Sequence, residues 1–371
     1  MRITIDATSA LVRSAGVKSY TYHWLRHLRQ QAAHETNGGD EIHAFPLLGD
    51  WSRLDHEHSA LPLAPTLARL ALLHSANVLG SSVLDLLLRG TDVFHAGNLV
   101  RQTPGRARLT ATIHDLTSWI MPEVHRQSTL RADHNFVERI LKRADGLIAV
   151  SENTRQDAIR MLGIQPERIR TIHSGVAQEY FDAPPRATPR TTGKPYALFV
   201  GTIEPRKNLD TLLDAWRSLK PDLREHFDLV IAGPQGWNSS ATMARVRRET
   251  NYLGYVAEAE MPGLVAGASV FAYPSLYEGF GFPVVQAMAA NVAVLSSRTS
   301  CLPEIAGDAA VYVDPRSPAE MAAELTRLLE SPGERFRLAQ MGRTRAECYR
   351  WERCARESLA FFKEIAANER K

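Results

Sequence analysis

The sequence predicts an α/β chain made of two doubly wound, parallel-sheet domains. Three observations carry that expectation. Short apolar runs of strand length alternate with amphipathic runs of helical length, the order that puts helices on both faces of a parallel sheet. The alternation stops at a stretch rich in Pro, Thr and Arg, from Phe181 to Lys194, and then starts again; such a stretch has the composition of a linker. Polar loops follow the apolar runs in both parts, which is where open α/β sheets take up ligands. The domains are accordingly expected at residues 1–185 and 196–350, with a linker at 186–195 and a closing helix at 351–371.

In the first domain, Arg2–Asp6 is the opening strand. A loop with Gly16 follows, then a helix from about Val17 to Gln31, a turn over Thr36–Asp40 and a strand over Ile42–Leu48. Asp92–His95, Arg108–Ile113 and Gly146–Val150 are further strands. The last of these leads into Ser151-Glu152-Asn153-Thr154, a helix cap, and Ile169–Ile172 closes the series. In the second domain the strand Tyr196–Val200 feeds the segment Gly201–Asn208, and Leu209–Leu219 is a helix. Asp228–Ala232 is a strand ending at Gly233-Pro234. The buried run Ala268–Tyr273 leads into the loop and helix of Ser275–Ala289, with Val292–Leu295 a strand beyond it. Ala310–Val313 is a short strand and Pro318–Leu329 a helix. The tail from Glu334 to Ala366 reads as helical, with Trp351, Leu359, Phe361 and Phe362 available for packing.

Composition narrows the function. An apolar fraction of 44% supports a sizeable core in each domain. The three cysteines, Cys301, Cys348 and Cys354, are too few and too close to the end for a disulfide framework, which fits a reducing, cytoplasmic setting. The net charge of +3 is small and lacks the basic patch of a nucleic-acid binder. A weak attraction to acidic lipid headgroups at the inner face of the plasma membrane stays open. The start of the chain does not read as a signal peptide, and no apolar stretch of about 18 residues is present.

Five places carry candidate chemistry. In Gly201–Asn208, backbone amides with Arg206 and Lys207 suit a diphosphate; the plainer reading is a solvated charge pair at a helix start. His114 stands at the carboxyl edge of the first sheet, where an imidazole exchanges a proton near neutral pH, with Asp115 beside it to orient it. A structural histidine is the alternative. Gly16 permits close approach of a ligand to the backbone, or is an ordinary turn. Glu278 and Gln286, eight positions apart on a loop and the helix after it, suit the hydroxyls of a sugar or ribose. A further loop, Ser296–Glu304, offers hydroxyls to phosphate or sugar. The sequence has no P-loop, nucleophile elbow or His-Glu-x-x-His, no Gly-x-Gly-x-x-Gly after the first strand, and no Asp-x-Asp in a strand-end loop to hold a metal.

Together these residues resemble the retaining glycosyltransferases of family 4, with a look most like the bacterial mannosyltransferases of O-antigen and exopolysaccharide assembly. The matching segments run in order along nearly the whole chain: the Gly16 loop, Ile113-His114-Asp115-Leu116, Val150 to Arg155, Gly201 to Asn208, and Glu278 to Ala289. The resemblance implies the GT-B fold, two Rossmann-like domains facing a deep interdomain cleft. The first would bind the acceptor and the second the nucleotide-sugar donor. The final helix would return to the first domain, so that closure assembles the site. Arg206 and Lys207 would neutralise the donor diphosphate, with Gly201 and Gly16 allowing approach to it. Glu278 would contact hydroxyls of the transferred sugar, the amides of Phe280 and Gly281 would orient it, and His114 would sit near its 6-hydroxyl. The expected donor is GDP-mannose, with UDP-glucose or another UDP-sugar as the competitor. The expected acceptor is a glycan or a polyprenyl-diphosphate-linked glycan, and neither a cofactor nor a metal is expected. Leu61–Leu88 would form an apolar helix pair that either packs as core or lines the acceptor groove.

One position departs from the family pattern. Where a second glutamate usually accepts bonds from the ribose, this chain has Gln286. An amide still accepts and also donates, but without charge assistance. A catalytically weak sugar-nucleotide-binding subunit is therefore the non-enzyme alternative.

Overall fold

The computed structural model describes residues 1–34, 39–49, 51, 54–184 and 192–368. Residues 36–38 of the expected turn and 186–191 of the expected linker lie outside the described residues.

The chain divides into two compact units, Met1–Gly175 with Trp351–Lys371, and Val176–Arg350. The first runs β1 (Arg2–Asp6), α1 (Gly16–His34), β2 (Glu41–Phe45), α2 (Leu63–Leu79), α3 (Ser81–Leu87), β3 (Val93–Ala96), β4 (Arg108–Ile113), α4 (Thr117–Ile120), α5 (Gln127–Arg139), β5 (Gly146–Ala149), α6 (Glu152–Leu162) and β6 (Ile169–Thr171). The second runs α7 (Gln178–Asp182), β7 (Tyr196–Val200), α8 (Leu209–Ser218), α9 (Pro221–His226), β8 (Asp228–Ala232), α10 (Ser240–Glu249), β9 (Asn251–Gly254), α11 (Met261–Ala266), β10 (Val270–Tyr273), α12 (Phe282–Ala289), β11 (Val294–Ser297), α13 (Leu302–Ala306), β12 (Ala310–Val313), α14 (Pro318–Glu330) and α15 (Pro332–Ala346). The last helix, α16 (Trp351–Ala367), belongs to the first unit.

Among the described residues each unit holds one six-stranded sheet, and every named pairing is parallel. The orders are β2-β1-β3-β4-β5-β6 and β12-β11-β10-β7-β8-β9. In the second sheet β7, β8 and β10 are near-continuous apolar runs, as burial on both faces requires, whereas β1, β3 and β4 of the first also bury Thr4, His95, Thr110 and Thr112. The expected pair of Rossmann-like domains is therefore what the chain forms. In the second sheet the order reverses between β7 and β10, which are adjacent strands. That reversal leaves a crevice at the carboxyl ends of these two strands, because their following connections leave in opposite directions.

Two boundaries differ from the sequence reading. The first unit ends at Gly175, not at 185, because α7 packs with α11 and α12 of the second unit. The tail is not one helix: it breaks after Ala346, and residues 347–350 are held in place otherwise. Tyr349 accepts a hydrogen bond at its carbonyl from the Val176 amide (2.9 Å is typical; here 2.8 Å) and donates its hydroxyl to the Ile305 carbonyl at 3.0 Å.

The pair α1 and α16 closes the first unit. Tyr20, Trp24 and Leu28 from α1 meet Trp351, Leu359 and Phe362 from α16, all buried, and Trp24 Nε1 donates to Ser358 Oγ at 3.0 Å. Under them lies His95 of β3, buried against the Trp24 and Phe362 rings. Its nitrogens lie 3.0 Å from the hydroxyls of Thr110 and Thr112, an arrangement that satisfies a neutral imidazole. Burial pushes its pKa down to about 3, with the nearby His114 acting in the same direction. His114 is itself pushed down to about 4 by burial, against the pull of Asp115. In the unfolded chain both titrate near 6.5. The unfolded state thus takes up protons that the folded state refuses, so stability falls as pH drops below about 6.5 towards 4. Urea unfolding at pH 7 and pH 4.5 measures this. The loss between the two is expected to shrink clearly in His95→Gln, and an equal loss in that variant would refute the assignment.

Candidate active site

The loops after β7 and β10 meet at the crevice, and backbone packing fixes their shape. Ile203 pairs with Gln235: its amide donates to Pro234 O at 3.0 Å, and its carbonyl accepts from the Gly236 amide at 2.9 Å. This brings the chain at Gly233 so close that a Cβ there would stand 2.0 Å from the Gly201 carbonyl oxygen, and Gly233 also has φ +140. Only glycine fits. A short turn, Pro205–Lys207, then aims two cations inward and ends at Asn208 in the left-handed region (φ 57). Asn208 Nδ2 donates to the carbonyls of Pro274 (3.0 Å) and Pro315 (2.7 Å). The Leu276 amide donates to Arg206 O at 2.9 Å, so the two loops form one piece.

Glu278 sits at the centre. Its carboxylate takes Lys207 Nζ at 2.6 Å on Oε1 and Arg206 Nη1 at 2.9 Å on Oε2. The same Oε1 accepts from the Tyr273 hydroxyl at 3.0 Å and Ser275 Oγ at 2.5 Å. Arg206 also donates to the Tyr277 carbonyl and to Glu204 Oε1, both at 2.7 Å. Glu278, Lys207 and Glu204 are buried, with Arg206 a little more open. Burial alone would raise the Glu278 pKa, but the Arg206 and Lys207 charges prevail and bring it down to about 2. Lys207 is lowered by burial, with Glu278 opposing. Two carboxylates and two cations leave the cluster neutral as it stands.

The structure thus brings Arg206, Lys207 and Glu278 into direct contact, where the sequence reading gave the pair and the glutamate separate tasks. Gly201 opens the first loop and lies under the Gly233 approach. Gly281 has φ +82, and a Cβ there would meet Leu302 Cδ2 at 2.8 Å. Phe280 is buried against the rings of Phe282 and Tyr349, which fixes the backbone of this turn at the start of α12. Gln286 is half-buried on the second turn of α12, and its side chain has no hydrogen bond among the described residues.

Gly16 and His114 belong to the first unit. Gly16 is the first residue of α1, exposed, and a Cβ there would meet nothing within 4 Å. His114 is half-buried at the end of β4 with its ring edge-on to Tyr20, centroids 4.8 Å apart. The expected orienting bond from Asp115 is not made. Asp115 turns to its own chain and accepts from the Thr117 amide (3.0 Å) and Thr117 Oγ1 (2.6 Å), as a short polar residue before a helix does. Among the described residues no group of three or more His, Cys, Asp or Glu is placed to hold a metal ion.

Sequence reasoning passed over Glu204, Tyr273 and Gly233. Tyr273 ending the buried strand β10 and Gly233 directly after β8 were the available signals. Ser300, within the polar loop singled out above, accepts at Oγ from the Glu278 amide at 2.9 Å, while Ser296 and Ser297 end β11 buried.

Comparison with known proteins agrees with this fold. Residues 14–180 match the family described as Glycosyltransferase Family 4, and residues 182–345 that described as Glycosyl transferases group 1. The chain is 32% identical over 267 residues to O-antigen chain mannosyltransferase B of Escherichia coli, covering 69% of this chain and 70% of that protein. It is 30% identical to MMP alpha-(1->4)-mannosyltransferase of Mycolicibacterium hassiacum, over 65% of this chain and 60% of the relative. Among solved structures, sucrose-phosphate synthase of Thermosynechococcus elongatus superposes with a TM-score of 0.72 over 99% of both chains at 19% identity, a likeness of fold.

The two glycines give a paired test. Gly233→Ala must displace the Gly201 carbonyl and is expected to destabilise the second unit by more than about 2 kcal/mol in urea unfolding. Gly16→Ala, with open space around it, is expected to stay within about 0.5 kcal/mol of wild type. A silent Gly233→Ala would show that the loop packing described here does not hold.

Proposed function

Because the chain belongs to glycosyltransferase family 4, we propose that it is a retaining, metal-independent hexosyltransferase. It moves mannose from GDP-mannose to a glycan or polyprenyl-diphosphate-linked glycan in cell-surface polysaccharide assembly. The observation that carries this reading is the Arg206–Lys207–Glu278 cluster at the ends of β7 and β10, in a chain whose relatives include mannosyltransferases.

The chemistry follows from charge. A nucleotide diphosphate gains negative charge as the sugar leaves, and two partly desolvated cations held in place favour that state over the ground state. Arg206 can meet two phosphate oxygens in one plane and Lys207 acts as a point charge. An arriving diphosphate competes with Glu278 for both cations, which frees carboxylate oxygens for the hydroxyls of the transferred sugar. The amides of Phe280 and Gly281 orient that sugar, Gln286 takes the ribose, and Gly201 and Gly16 leave room for the diphosphate. His114, neutral at pH 7, serves as a hydrogen-bonding partner near the sugar 6-hydroxyl. Retention follows from front-side attack: the acceptor oxygen forms the new bond to the anomeric carbon as the bond to the diphosphate breaks. The acceptor proton passes to a leaving-group phosphate oxygen.

Gln286 keeps a second reading alive, a subunit that binds the donor but turns it over weakly. Calorimetry with a panel of GDP- and UDP-sugars, without added metal, tests both. GDP-mannose is expected to bind, and Arg206→Ala to weaken it by roughly tenfold or more. Tight binding of a UDP-sugar instead would replace the donor. Transfer unaffected by Glu278→Ala would overturn the site, and binding without transfer would favour the subunit.

Peripheral contact with an acidic membrane surface belongs to the same proposal. No helix among the described residues is long and apolar enough to cross a membrane. The expected helix pair is present as α2 and α3, and it splits its roles. Leu73, Ala76, Leu84 and Leu88 are core, whereas Leu63, Leu67, Val78, Leu79 and Leu86 are exposed. α2 carries Arg69 and no acidic residue, which suits an anionic, partly apolar surface. Sedimentation with vesicles containing anionic lipid is expected to carry the protein down, and to do so less for Leu67→Ser/Leu79→Ser. No pelleting of wild type would remove this part of the proposal.

A further inference from the structure

One face of α5 takes no part in the hydrophobic core. Gln127, Leu130, Arg131, His134 and Asn135 recur at the i, i+3, i+4, i+7, i+8 spacing of a single helical face. That spacing normally marks a core-facing stripe, but here Leu130 is its only apolar member. The true core contacts of this helix lie at Phe136 and Val137. The polar face instead lines a cavity of about 550 Å³ together with Ser118, Trp119 and Pro122, which come from α4 and the turn after it. That volume falls within the roughly 300–1,000 Å³ of small-ligand sites.

The lining divides into two parts. Trp119, Leu130 and Pro122 make the apolar part, and Trp119 is held by a face-to-face stack with His134, centroids 4.5 Å apart and planes 10° apart. Ser118 is fixed by donating to Asp133, whose carboxyl pKa is raised by burial, with the Ser118 bond opposing. Gln127, Arg131 and Asn135 are exposed, and among the described residues their side chains make no hydrogen bond or ion pair. Two amides and a guanidinium along an aromatic-bearing hollow match a pyranose. Its C–H face covers apolar surface, and its vicinal hydroxyls pair with planar donors and acceptors. A strongly anionic ligand fits less well, because Arg131 is the one Arg or Lys side chain lining the hollow.

We propose that this groove holds a pyranose residue of the acceptor glycan. This rests on the reading of the chain as a transferase that extends a glycan. The segment His114–Ser118 joins the groove directly to the first-unit histidine of that reading, since α4 begins three residues after His114. Specificity for the acceptor then lies in α5 and not in the donor loops.

The test uses the full chain and two separate probes. Saturation-transfer NMR with α-mannobiose reads the groove, and calorimetry with GDP-mannose reads the donor site. Wild type is expected to bind mannobiose, and Gln127→Ala/Arg131→Ala/Asn135→Ala to weaken that binding about tenfold while GDP-mannose binding is unchanged. These three side chains are exposed, so the variant is expected to fold; Trp119→Ala is the harsher second variant, checked by circular dichroism. Mannobiose binding that survives the triple change, or no binding by wild type at about 10 mM, overturns the proposal. So does displacement of mannobiose from the groove by GDP alone. If wild type binds no nucleotide sugar yet loses mannobiose in the triple variant, the groove stands and the donor reading falls.

Discussion

Two carboxylates and two cations, buried together at the ends of β7 and β10, set the terms for the rest of the second unit. Taking four charges out of water is costly, and mutual pairing offsets that cost only when the geometry is held closely. The surrounding construction does this holding. Gly233 and Gly201 touch backbone to backbone, Asn208 ties three loops together, and Tyr273 and Ser275 fill the remaining acceptor sites of Glu278. Removing one charge leaves a partner stranded in a poorly solvated place, so the site and the local fold are one system. Glu204 belongs to it as fully as the other three. It keeps Arg206 in position by a bond that does not involve Glu278, so the guanidinium remains anchored whenever Glu278 turns to another partner.

The first unit rests on a different kind of constraint. Its centre is aromatic: Tyr20, Trp24, Trp351, His95 and Phe362 lie ring against ring. The ring nitrogens of His95 and Trp24 are matched by short side chains, the threonines of β4 and Ser358 of α16. A neutral histidine is what such a place admits, and the suppressed basicity of His95 and His114 follows from where the strands end.

Much of this was legible in the sequence, and the exceptions have physical causes. β7, β8 and β12 were read to the residue because each is a largely apolar run bounded by polar or turn-forming residues. β9 was missed. Asn251–Gly254 is four residues long, half-buried at the sheet edge, and too short to show a period. The break before Trp351 was missed because residues 347–350 have helical composition and are diverted by bonds to Val176 and Ile305, which are distant in sequence. Arg206, Lys207 and Glu278 stood out as residue types at strand ends. That they pair with each other depends on strand order, and a linear pattern does not contain strand order. Asp115 was read by its neighbour in sequence, whereas local backbone bonding had the stronger claim on it.

The first unit is built from two pieces of chain with the whole second unit between them. The later of the two pieces, with α16, supplies Phe362, Trp351 and Ser358 to the aromatic centre. A growing chain therefore exposes Trp24, Tyr20 and His95 for as long as the intervening 175 residues of Val176–Arg350 take to synthesise, roughly 10–35 s at about 5–20 residues per second. During that interval the second unit, continuous in sequence, can complete its own core. The order of synthesis thus makes the later half of this protein the earlier to finish. The first unit is left waiting for α16 to emerge, and a chain that stops short of α16 loses the part of the molecule that was begun first.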